Sequence, residues 1–402
     1  MSIELGSRRS GESAATPLNV LQFCTNFKKG GGIQTHVMDL SAYLTSKGHK
    51  VWFAGEAASS GLDQTEADFL SLNMHKISET TGQSSILTRV PALIQASFKL
   101  RTFLRRHKIE LIHAHETAPA LVARLATFGS KVKTIMTFHG STPSRLPSAA
   151  KTGQRCANLV ASPSKTCLGN LIRHGLDPKK ARVFGLGIPP VSESDAERVR
   201  TLRRQYLRDP EGVMIFSASR LSPQKGIDVM IEVAARVAAK HPNVRFVVAG
   251  DGILMDQVSG WAAQAGVADH IIFTGRVDTV AEHLQASDIF LLTSRWEAFP
   301  LSIVEAFRAG RPVIATRCGG VEELVDDTVG RLCEVEDVAA LSKAICTLIE
   351  APSQRIACGV QARHRSENVR FDPDSVHADI EREYAVLVDP VRALMNDQIQ
   401  SS

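Results

Sequence analysis

The sequence predicts an α/β protein with two domains, each built around a parallel β-sheet. Short apolar runs alternate with helical patterns along most of the chain, which is typical of strands buried on both faces of a sheet. The alternation stops once, in a polar stretch near the middle, and then begins again. The length of 402 residues leaves room for about two domains of ordinary size.

The composition is that of a soluble globular protein, with 44% hydrophobic and 22% charged residues. The formal net charge of +5 suits anionic ligands or an anionic membrane surface, but it is too small to indicate a nucleic-acid partner. Seven cysteines are scattered without a C-x-x-C pair. This odd number indicates reduced thiols in a cytosolic protein and no zinc site.

The beginning of the chain, Met1 to Pro17, is polar and does not predict a signal peptide. The sequence contains no run of 18 apolar residues, so it does not predict a membrane-spanning helix. We therefore expect a cytoplasmic protein.

The first βα array begins at Leu18. Its first helix is predicted from Ile33, Val37, Leu40 and Leu44, which share one face, and Gly48 ends it. The predicted strands of this array are Asn19–Cys24, Lys50–Ala54, Glu110–Ala114, Lys133–Phe138, Leu159–Ser162 and Arg182–Phe184.

A joint interrupts the pattern between Gly185 and Pro210, where prolines precede a polar stretch that we interpret as a linker and a surface helix. The boundaries predicted from this break are 17–186 for the first domain and 187–370 for the second. Residues 371–402 are predicted to form a helix with a polar tail. The second array contains the predicted strands Val213–Ser217, Val244–Ala249, Ile271–Phe273, Ile289–Thr293, Pro312–Thr316 and Gly330–Cys333.

Two predicted features follow strands of the first array. Glycines Gly30, Gly31 and Gly32 precede a helix, where backbone N–H groups can approach an anion, although a flexible turn is an equal alternative. His139 follows the fourth strand and can hydrogen-bond a substrate hydroxyl, although a structural histidine is the more common case. The i, i+2 spacing of His113 and His115 could suit a metal, but a structural role is favoured for both.

A basic loop follows the first strand of the second array. Arg220 and Lys225 are five positions apart, and Pro223 and Gly226 stiffen the loop between that strand and the next helix. A guanidinium and an ammonium at this spacing can hold a diphosphate from two sides. The alternative is a solvated basic surface loop.

Two glutamates surround the start of a later helix. Glu297 precedes this helix and Glu305 lies within it, while Phe299, Pro300 and Leu301 mark its beginning. The N–H groups at a helix start can meet a phosphate, so the glutamates are assigned to sugar and ribose hydroxyls. Two solvated glutamates are the alternative, which the otherwise apolar helix disfavours.

Weaker markers follow other strands. Gly275, Arg276 and Val277 come directly after a predicted strand and can line a nucleobase with backbone groups. The runs Ala249 to Gly252 and Gly319 to Glu323 occupy similar positions. In parallel α/β sheets, ligands bind beyond the carboxyl ends of the strands, so we expect these segments to converge.

Taken together, these residues resemble the family-4 retaining glycosyltransferases of the GT-B fold. The resemblance runs from about Val20 to Leu348 in order, and its specific part is the E-x7-E pattern of Glu297 and Glu305 downstream of Arg220 and Lys225. It implies two Rossmann-like domains with a cleft between them, and a last helix that returns to the first domain.

The resemblance also implies a role for each of the predicted site residues. Arg220 and Lys225 would bind the donor diphosphate, Glu305 the ribose, and Glu297 and His139 the transferred sugar. Gly31 and Gly32 would lie beside the donor phosphates and the acceptor, and Gly275 to Val277 and Phe299 to Leu301 would complete the donor site. The implied reaction is retaining transfer from a UDP- or GDP-sugar to a sugar or lipid-linked sugar acceptor, without metal or cofactor. The implied pathway is bacterial cell-surface polysaccharide or glycolipid synthesis.

Two other functions remain open at this point. A sugar-nucleotide epimerase of the same fold would need additional acids for proton removal. A non-catalytic nucleotide-sugar-binding subunit is disfavoured by the presence of Arg220, Lys225 and Glu297.

Residues 89–108 raise the question of membrane contact. This predicted helix combines basic and apolar side chains, which suits an anionic lipid surface at the inner face of the membrane, although a sheet-covering helix is the more common explanation. The residues concerned are Lys99, Arg101, Arg105, Arg106 and Lys108 beside Leu93, Ile94, Leu100, Phe103 and Leu104.

Overall fold

A computed structural model describes residues 16–27, 32–56, 68–77, 86–189 and 195–390 of the chain. Gly31, one of the predicted donor-site residues, lies outside these ranges, whereas Gly32 is the first residue of a helix.

The first sheet contains seven strands in the order β3-β2-β1-β4-β5-β6-β7. Every strand pairing described for it is parallel, and β1 lies between β2 and β4. Its strands are β1 (Asn19–Asn26), β2 (Lys50–Glu56), β3 (Phe69–Ser71), β4 (Leu111–His115), β5 (Lys133–Thr137), β6 (Leu159–Ser162) and β7 (Ala181–Val183). Its accompanying helices are α1 (Gly32–Ser46), α2 (Ile86–Arg106), α3 (Thr117–Ala126), α4 (Leu146–Cys156) and α5 (Lys165–Arg173).

The second sheet contains six strands in the order β10-β9-β8-β11-β12-β13, again in parallel pairs. Its strands are β8 (Met214–Ala218), β9 (Arg245–Ala249), β10 (Ile271–Gly275), β11 (Ile289–Leu292), β12 (Val313–Thr316) and β13 (Gly330–Cys333). The helices in this part of the chain are α6 (Ala196–Tyr206), α7 (Ile227–Ala238), α8 (Met255–Gln264), α9 (Val280–Ala286), α10 (Leu301–Arg308), α11 (Val338–Glu350) and α12 (Pro352–Arg365).

The apolar strands of the second sheet are buried on both faces. Met214 and Phe216 of β8 join one hydrophobic cluster, while Ile215 between them joins the cluster on the opposite face. Strand β11 alternates in the same way, because side chains of successive strand residues point to opposite faces. This two-sided burial explains why the strands appear in the sequence as continuous apolar runs.

Contacts divide the chain into two compact units. The first comprises Met1–Thr137, Arg155–Leu159 and His377–Ser402, and the second comprises Phe138–Gln154 and Val160–Val376. The last helix, α13 (Pro373–Val388), therefore contributes its residues from His377 onward to the first unit.

The buried face of α13 carries a tyrosine that joins the core of the first unit. The Tyr384 hydroxyl lies 2.5 Å from Nδ1 of His113, and Nε2 of His113 lies 2.6 Å from the Thr137 hydroxyl. His115 stacks on His113 and hydrogen-bonds Gln22 over 2.9 Å. Both histidines are fully buried and hydrogen-bonded to protein side chains, which agrees with the structural role predicted for them.

The structure differs from the sequence prediction in several details, and strands β1, β2 and β10 each end two residues later than predicted. The short edge strand β3 was not predicted, because three residues are too few to show an alternating pattern. Strands β4, β7 and β8 are shifted by about one residue, as is usual for predicted boundaries. Of the residues predicted to mark the beginning of the helix that carries Glu305, Pro300 has extended backbone geometry with φ −76° and ψ 109°, and α10 begins at Leu301.

Candidate active site

The candidate site lies at the carboxyl ends of the second sheet's strands, where the predicted donor-site segments meet. Because neighbouring strands are parallel, the loops after β8, β9, β10, β11 and β12 all leave the same edge of the sheet. Backbone contacts and side-chain contacts both join these loops.

The loops after β8, β9 and β10 are joined through Gly250. Its N–H donates to the Gly275 carbonyl oxygen over 2.8 Å, and a Cβ placed on Gly250 would lie 1.9 Å from the Ser219 carbonyl oxygen. Only glycine allows such a close backbone approach. The loop that carries Arg220 and the segment that begins at Gly275 therefore both contact the Gly250 backbone between them.

The loops after β8 and β11 are joined by an arginine that the sequence analysis did not assign. Arg295 forms a two-bond ion pair with Asp228 at 2.7 and 3.0 Å, and its side chain also donates to the Pro223 carbonyl oxygen over 2.8 Å. Its Nε donates to Glu336 over 2.7 Å. The hydrogen bonds from Arg295 lower the pKa of Asp228 and raise that of Arg295, so both groups remain charged and clamp the loop.

The backbones of the same two loops are also joined. The Arg295 N–H donates to the Gln224 carbonyl oxygen over 2.7 Å, and the Gln224 side-chain amide donates to the Trp296 carbonyl oxygen over 2.9 Å. The Thr293 hydroxyl donates to the carbonyl oxygens of Lys225 and Gly226 over 2.9 and 3.0 Å. The loop that carries Arg220 and Lys225 is thus fixed before any ligand binds.

Lys225 and Glu297 form the central ion pair of the site. The Lys225 ammonium contacts Oε1 of Glu297, and the same oxygen accepts a hydrogen bond from the Ser294 hydroxyl over 2.6 Å. The side chains of Lys225 and Glu297 are only 17% and 8% exposed. The sequence assigned both residues to the site, but it gave no sign that they contact each other.

Arg220 is different, because its side chain is exposed. It forms no hydrogen bond or ion pair with another residue in the described ranges. Arg220 therefore presents an exposed guanidinium, unpaired within the described part of the chain, to an anionic ligand, whereas the half-buried Lys225 ammonium beside it is held in place by Glu297.

The loop after β12 packs against the backbone of Glu297 and Ala298. Gly319 has φ 55°, and a Cβ there would lie 1.8 Å from the Glu297 carbonyl oxygen. A Cβ on Gly320 would lie 1.9 Å from the Ala298 carbonyl oxygen. The thiol of Cys167 lies 3.8 Å from the carbonyl oxygens of Glu297 and Ala298. Burial raises the pKa of Cys167 to about 11, so this thiol is protonated at neutral pH and serves as a packing group.

Phe299 is held by a second group of charged residues. The Arg370 guanidinium lies 5.0 Å from the centre of the Phe299 ring and donates to Glu323 over 3.1 Å. Glu323 also accepts from the Ser164 hydroxyl over 2.6 Å, and these hydrogen bonds lower its pKa despite its burial. No sequence pattern predicted this set, since its members are far apart in the chain.

Glu305 lies on α10, one turn beyond Leu301. Burial raises the pKa of its carboxyl group above the ordinary value, and the nearby Arg308 opposes this shift. The Glu305 carboxylate forms no hydrogen bond with another described side chain. It is therefore able to accept hydrogen bonds from ligand hydroxyl groups.

His139 and Gly140 approach the same region. Gly140 has φ 86°, and a Cβ there would lie 3.0 Å from Cβ of Ala298, so the turn after β5 packs against the segment that carries Glu297. Gly32 belongs to the other compact unit, where it begins α1. The predicted residues Gly275, Arg276 and Val277 follow β10, with Arg276 exposed and Val277 packed on the core.

The pKa of His139 leads to a prediction. Burial lowers this pKa from 6.5 to about 4, so the unfolded chain binds the proton more readily than the folded one. We expect the stability contributed by neutral His139 to be complete above pH 6.5 and to be lost as the pH falls towards 4. Denaturant unfolding of the wild type should therefore show a steeper loss of stability across this range than that of His139→Gln. Equal slopes in the two proteins would contradict the prediction.

Comparison with known proteins identifies the fold and the family. The family described as Glycosyltransferase Family 4 matches residues 30–191, and the family described as Glycosyl transferases group 1 matches residues 199–365. The chain belongs to glycosyltransferase family 4. Its two parallel sheets with flanking helices form the GT-B fold, as the resemblance implied.

This family-4 glycosyltransferase is 24% identical to N-acetyl-alpha-D-glucosaminyl L-malate synthase of Bacillus anthracis, over 89% of this chain and 97% of the relative. It is 28% identical to the phosphatidylinositol N-acetylglucosaminyltransferase gpi3 subunit of Schizosaccharomyces pombe, over 80% of this chain and 71% of the relative. Anabaena HepE, solved in complex with UDP-glucose, superposes with a TM-score of 0.75 at 21% identity, covering 91% of this chain and 99% of HepE.

Proposed function

We propose that this family-4 glycosyltransferase transfers a sugar, with retention of anomeric configuration, from a UDP- or GDP-sugar to a hydroxyl acceptor. The observation that carries the proposal is the fixed basic loop after β8, which presents exposed Arg220 and half-buried Lys225 beside Glu297. Structures of the similar protein HepE contain UDP and UDP-glucose, which supports a nucleotide-sugar donor here.

The residues divide between the two ends of such a donor. Arg220 and Lys225 bind the diphosphate, and the N–H groups at the start of α10 add partial positive charge. Glu305 accepts hydrogen bonds from the ribose hydroxyls. Glu297 and His139 contact the transferred sugar, and neutral His139 can donate or accept a hydrogen bond.

The reaction needs little from the protein besides charge and position. The bond from the anomeric carbon to the phosphate oxygen breaks while the acceptor oxygen bonds to the same face of that carbon. The acceptor proton passes to the leaving phosphate. Negative charge therefore grows on the diphosphate, where Arg220 and Lys225 supply the positive charge that a metal provides in other transferases.

A panel of UDP-, GDP- and ADP-sugars with simple acceptors tests the proposal. We expect one donor class to be consumed, a product with the donor's anomeric configuration by NMR, and unchanged rates with a chelator present. An inverted product or loss of activity with the chelator would contradict the mechanism. Conversion of the donor sugar without any acceptor would favour an epimerase, and donor binding without turnover would favour a binding subunit.

The acceptor class is proposed from the relatives. The Schizosaccharomyces pombe relative is named for a phosphatidylinositol acceptor, and the Bacillus anthracis relative for L-malate. We favour a sugar or lipid-linked sugar, as in bacterial cell-surface polysaccharide or glycolipid synthesis. Assays with water-soluble and lipid-linked acceptors in parallel distinguish the two, since a lipid-specific enzyme should transfer only in the second.

A further inference from the structure

The first compact unit carries an exposed apolar surface formed by two neighbouring helices. On α2, Val90, Ile94 and Phe98 are 49%, 49% and 68% exposed and follow one another at a spacing of four residues. On α3 and just beyond it lie exposed Leu121, Leu125 and Phe128, the last of them 71% exposed. We call these six residues the apolar face.

The inner sides of the same helices explain why the apolar face does not belong to the core. Leu100 and Leu104 of α2 are buried in one hydrophobic cluster with Val122 and Ala126 of α3. The two helices thus already bury one side each against the sheet and each other. The apolar face is a second hydrophobic side, which a sheet-covering helix does not require.

A hydrogen-bonded arginine joins the two halves of the apolar face. Arg101, one turn after Phe98, donates to the carbonyl oxygens of Ala126 and Phe128 over 3.1 and 2.7 Å. The end of α3 is therefore held beside the middle of α2. Phe98 and Phe128, the most exposed residues of the face, belong to one continuous surface.

The charge around this face has one sign. Residues 86–108 and 117–133 contain nine Lys or Arg and no Asp or Glu. The whole chain has 47 basic and 42 acidic residues, so the remainder of the chain has 38 basic and 42 acidic residues and is net negative. Exposed Lys99, Arg105, Arg106, Arg124 and Lys131 form no ion pair with other described residues.

We propose that this face docks the protein on an anionic lipid bilayer, with the apolar side chains inserted among the acyl chains and the basic residues at the headgroups. The exposed aromatic and aliphatic side chains match the acyl-chain layer of a bilayer, and the flanking lysines and arginines match its anionic headgroups. A second copy of this chain fits poorly, because a two-fold contact would bring nine positive charges against nine others. A water-soluble polyanion would leave the apolar side chains in water.

Vesicle co-sedimentation of the full chain tests the proposal. We expect binding to phosphatidylcholine vesicles that contain about one third phosphatidylglycerol, little binding to pure phosphatidylcholine, and weaker binding at high salt. The double variant Phe98→Ser/Phe128→Ser should bind the anionic vesicles at least about tenfold more weakly. Lys99→Gln/Arg105→Gln should bind about tenfold more weakly and lose much of the salt dependence.

Matched controls come from the second unit. Ile356 and Val360 on α12 are 66% and 61% exposed, so Ile356→Ser/Val360→Ser removes similar exposed apolar area elsewhere. Lys240→Gln/Lys343→Gln removes two exposed charges elsewhere. Both control variants should bind vesicles like the wild type.

Three results would overturn the proposal: equal binding to neutral and anionic vesicles, equal effects of the face and control variants, or loss of a concentration-dependent dimer in the face variants by light scattering. The proposal does not rest on the transfer reaction. Hydrolysis or transfer with a soluble acceptor should be unchanged in the face variants, which separates a failure of docking from a failure of the proposed chemistry.

Discussion

Replacing Arg220 by alanine should lower turnover by roughly 10²–10³-fold while the free energy of unfolding changes by less than about 0.5 kcal/mol. The rate falls because a fixed cation no longer meets the charge that develops on the leaving diphosphate. Stability is spared because the side chain is exposed and has no ionic partner among the described residues.

Lys225→Ala should lower turnover by a similar factor but should also destabilise the fold. Its ammonium pairs with Glu297, whose side chain is 8% exposed, and removing one member of a buried pair leaves the other charge uncompensated. The sequence alone predicts two similar cations in one loop. The largely buried ion pair with Glu297 is the reason that only the Lys225 variant should also lose stability.

Steady-state kinetics and urea unfolding on the two variants provide the measurement. Arg200→Ala is a suitable control, because Arg200 is an exposed arginine on α6 whose partner, Glu197, is also exposed. It should leave both turnover and stability near wild type. If Arg220→Ala and Lys225→Ala both kept near-normal transfer rates, the assignment of the basic loop to the donor diphosphate would be wrong.

Gly319→Ala should destabilise the protein by at least about 3 kcal/mol and lower turnover by about 10²-fold. The new Cβ would lie 1.8 Å from the Glu297 carbonyl oxygen, so the backbone that carries Glu297 must move. In addition, alanine is strained at φ 55°. A displaced Glu297 would lose the position that we propose for it beside the transferred sugar.

Gly310→Ala is a control that separates backbone strain from the clash between a Cβ and the Glu297 carbonyl oxygen. Gly310 has φ 68°, similar to that of Gly319, but the nearest atom to its Cβ would lie at 3.7 Å. This variant should lose only about 1–2 kcal/mol, from backbone strain, and should keep its turnover. The comparison requires chemical denaturation curves and rates measured where both proteins are folded. Similar losses of stability and turnover in the two variants would show that the contact between Gly319 and the Glu297 carbonyl oxygen does not position Glu297.

The alternation of apolar runs and helical patterns was sufficient to predict two parallel sheets, because strands buried on both faces leave a local signal. The places of the basic loop and of Glu297 beyond strand ends were also predictable, because both segments follow such strands. Arg220, Lys225 and Glu297 lie in loops on one edge of the second sheet for that reason. The short strand β3 left no comparable signal and was missed.

Pairings between distant residues were decided only by the tertiary structure. Arg295 meets Asp228, and Arg370 meets both Glu323 and Phe299, across intervals that no local pattern records. The second hydrophobic side of α3 was also invisible, since its helical pattern does not show which apolar residues the neighbouring α2 covers. The periodicity of a sequence shows only which side of a single helix or strand is apolar. The sequence therefore determined the sheets and the loops that carry the motifs. The folded chain determined which charges are paired, which are available to a ligand, and which apolar residues remain exposed.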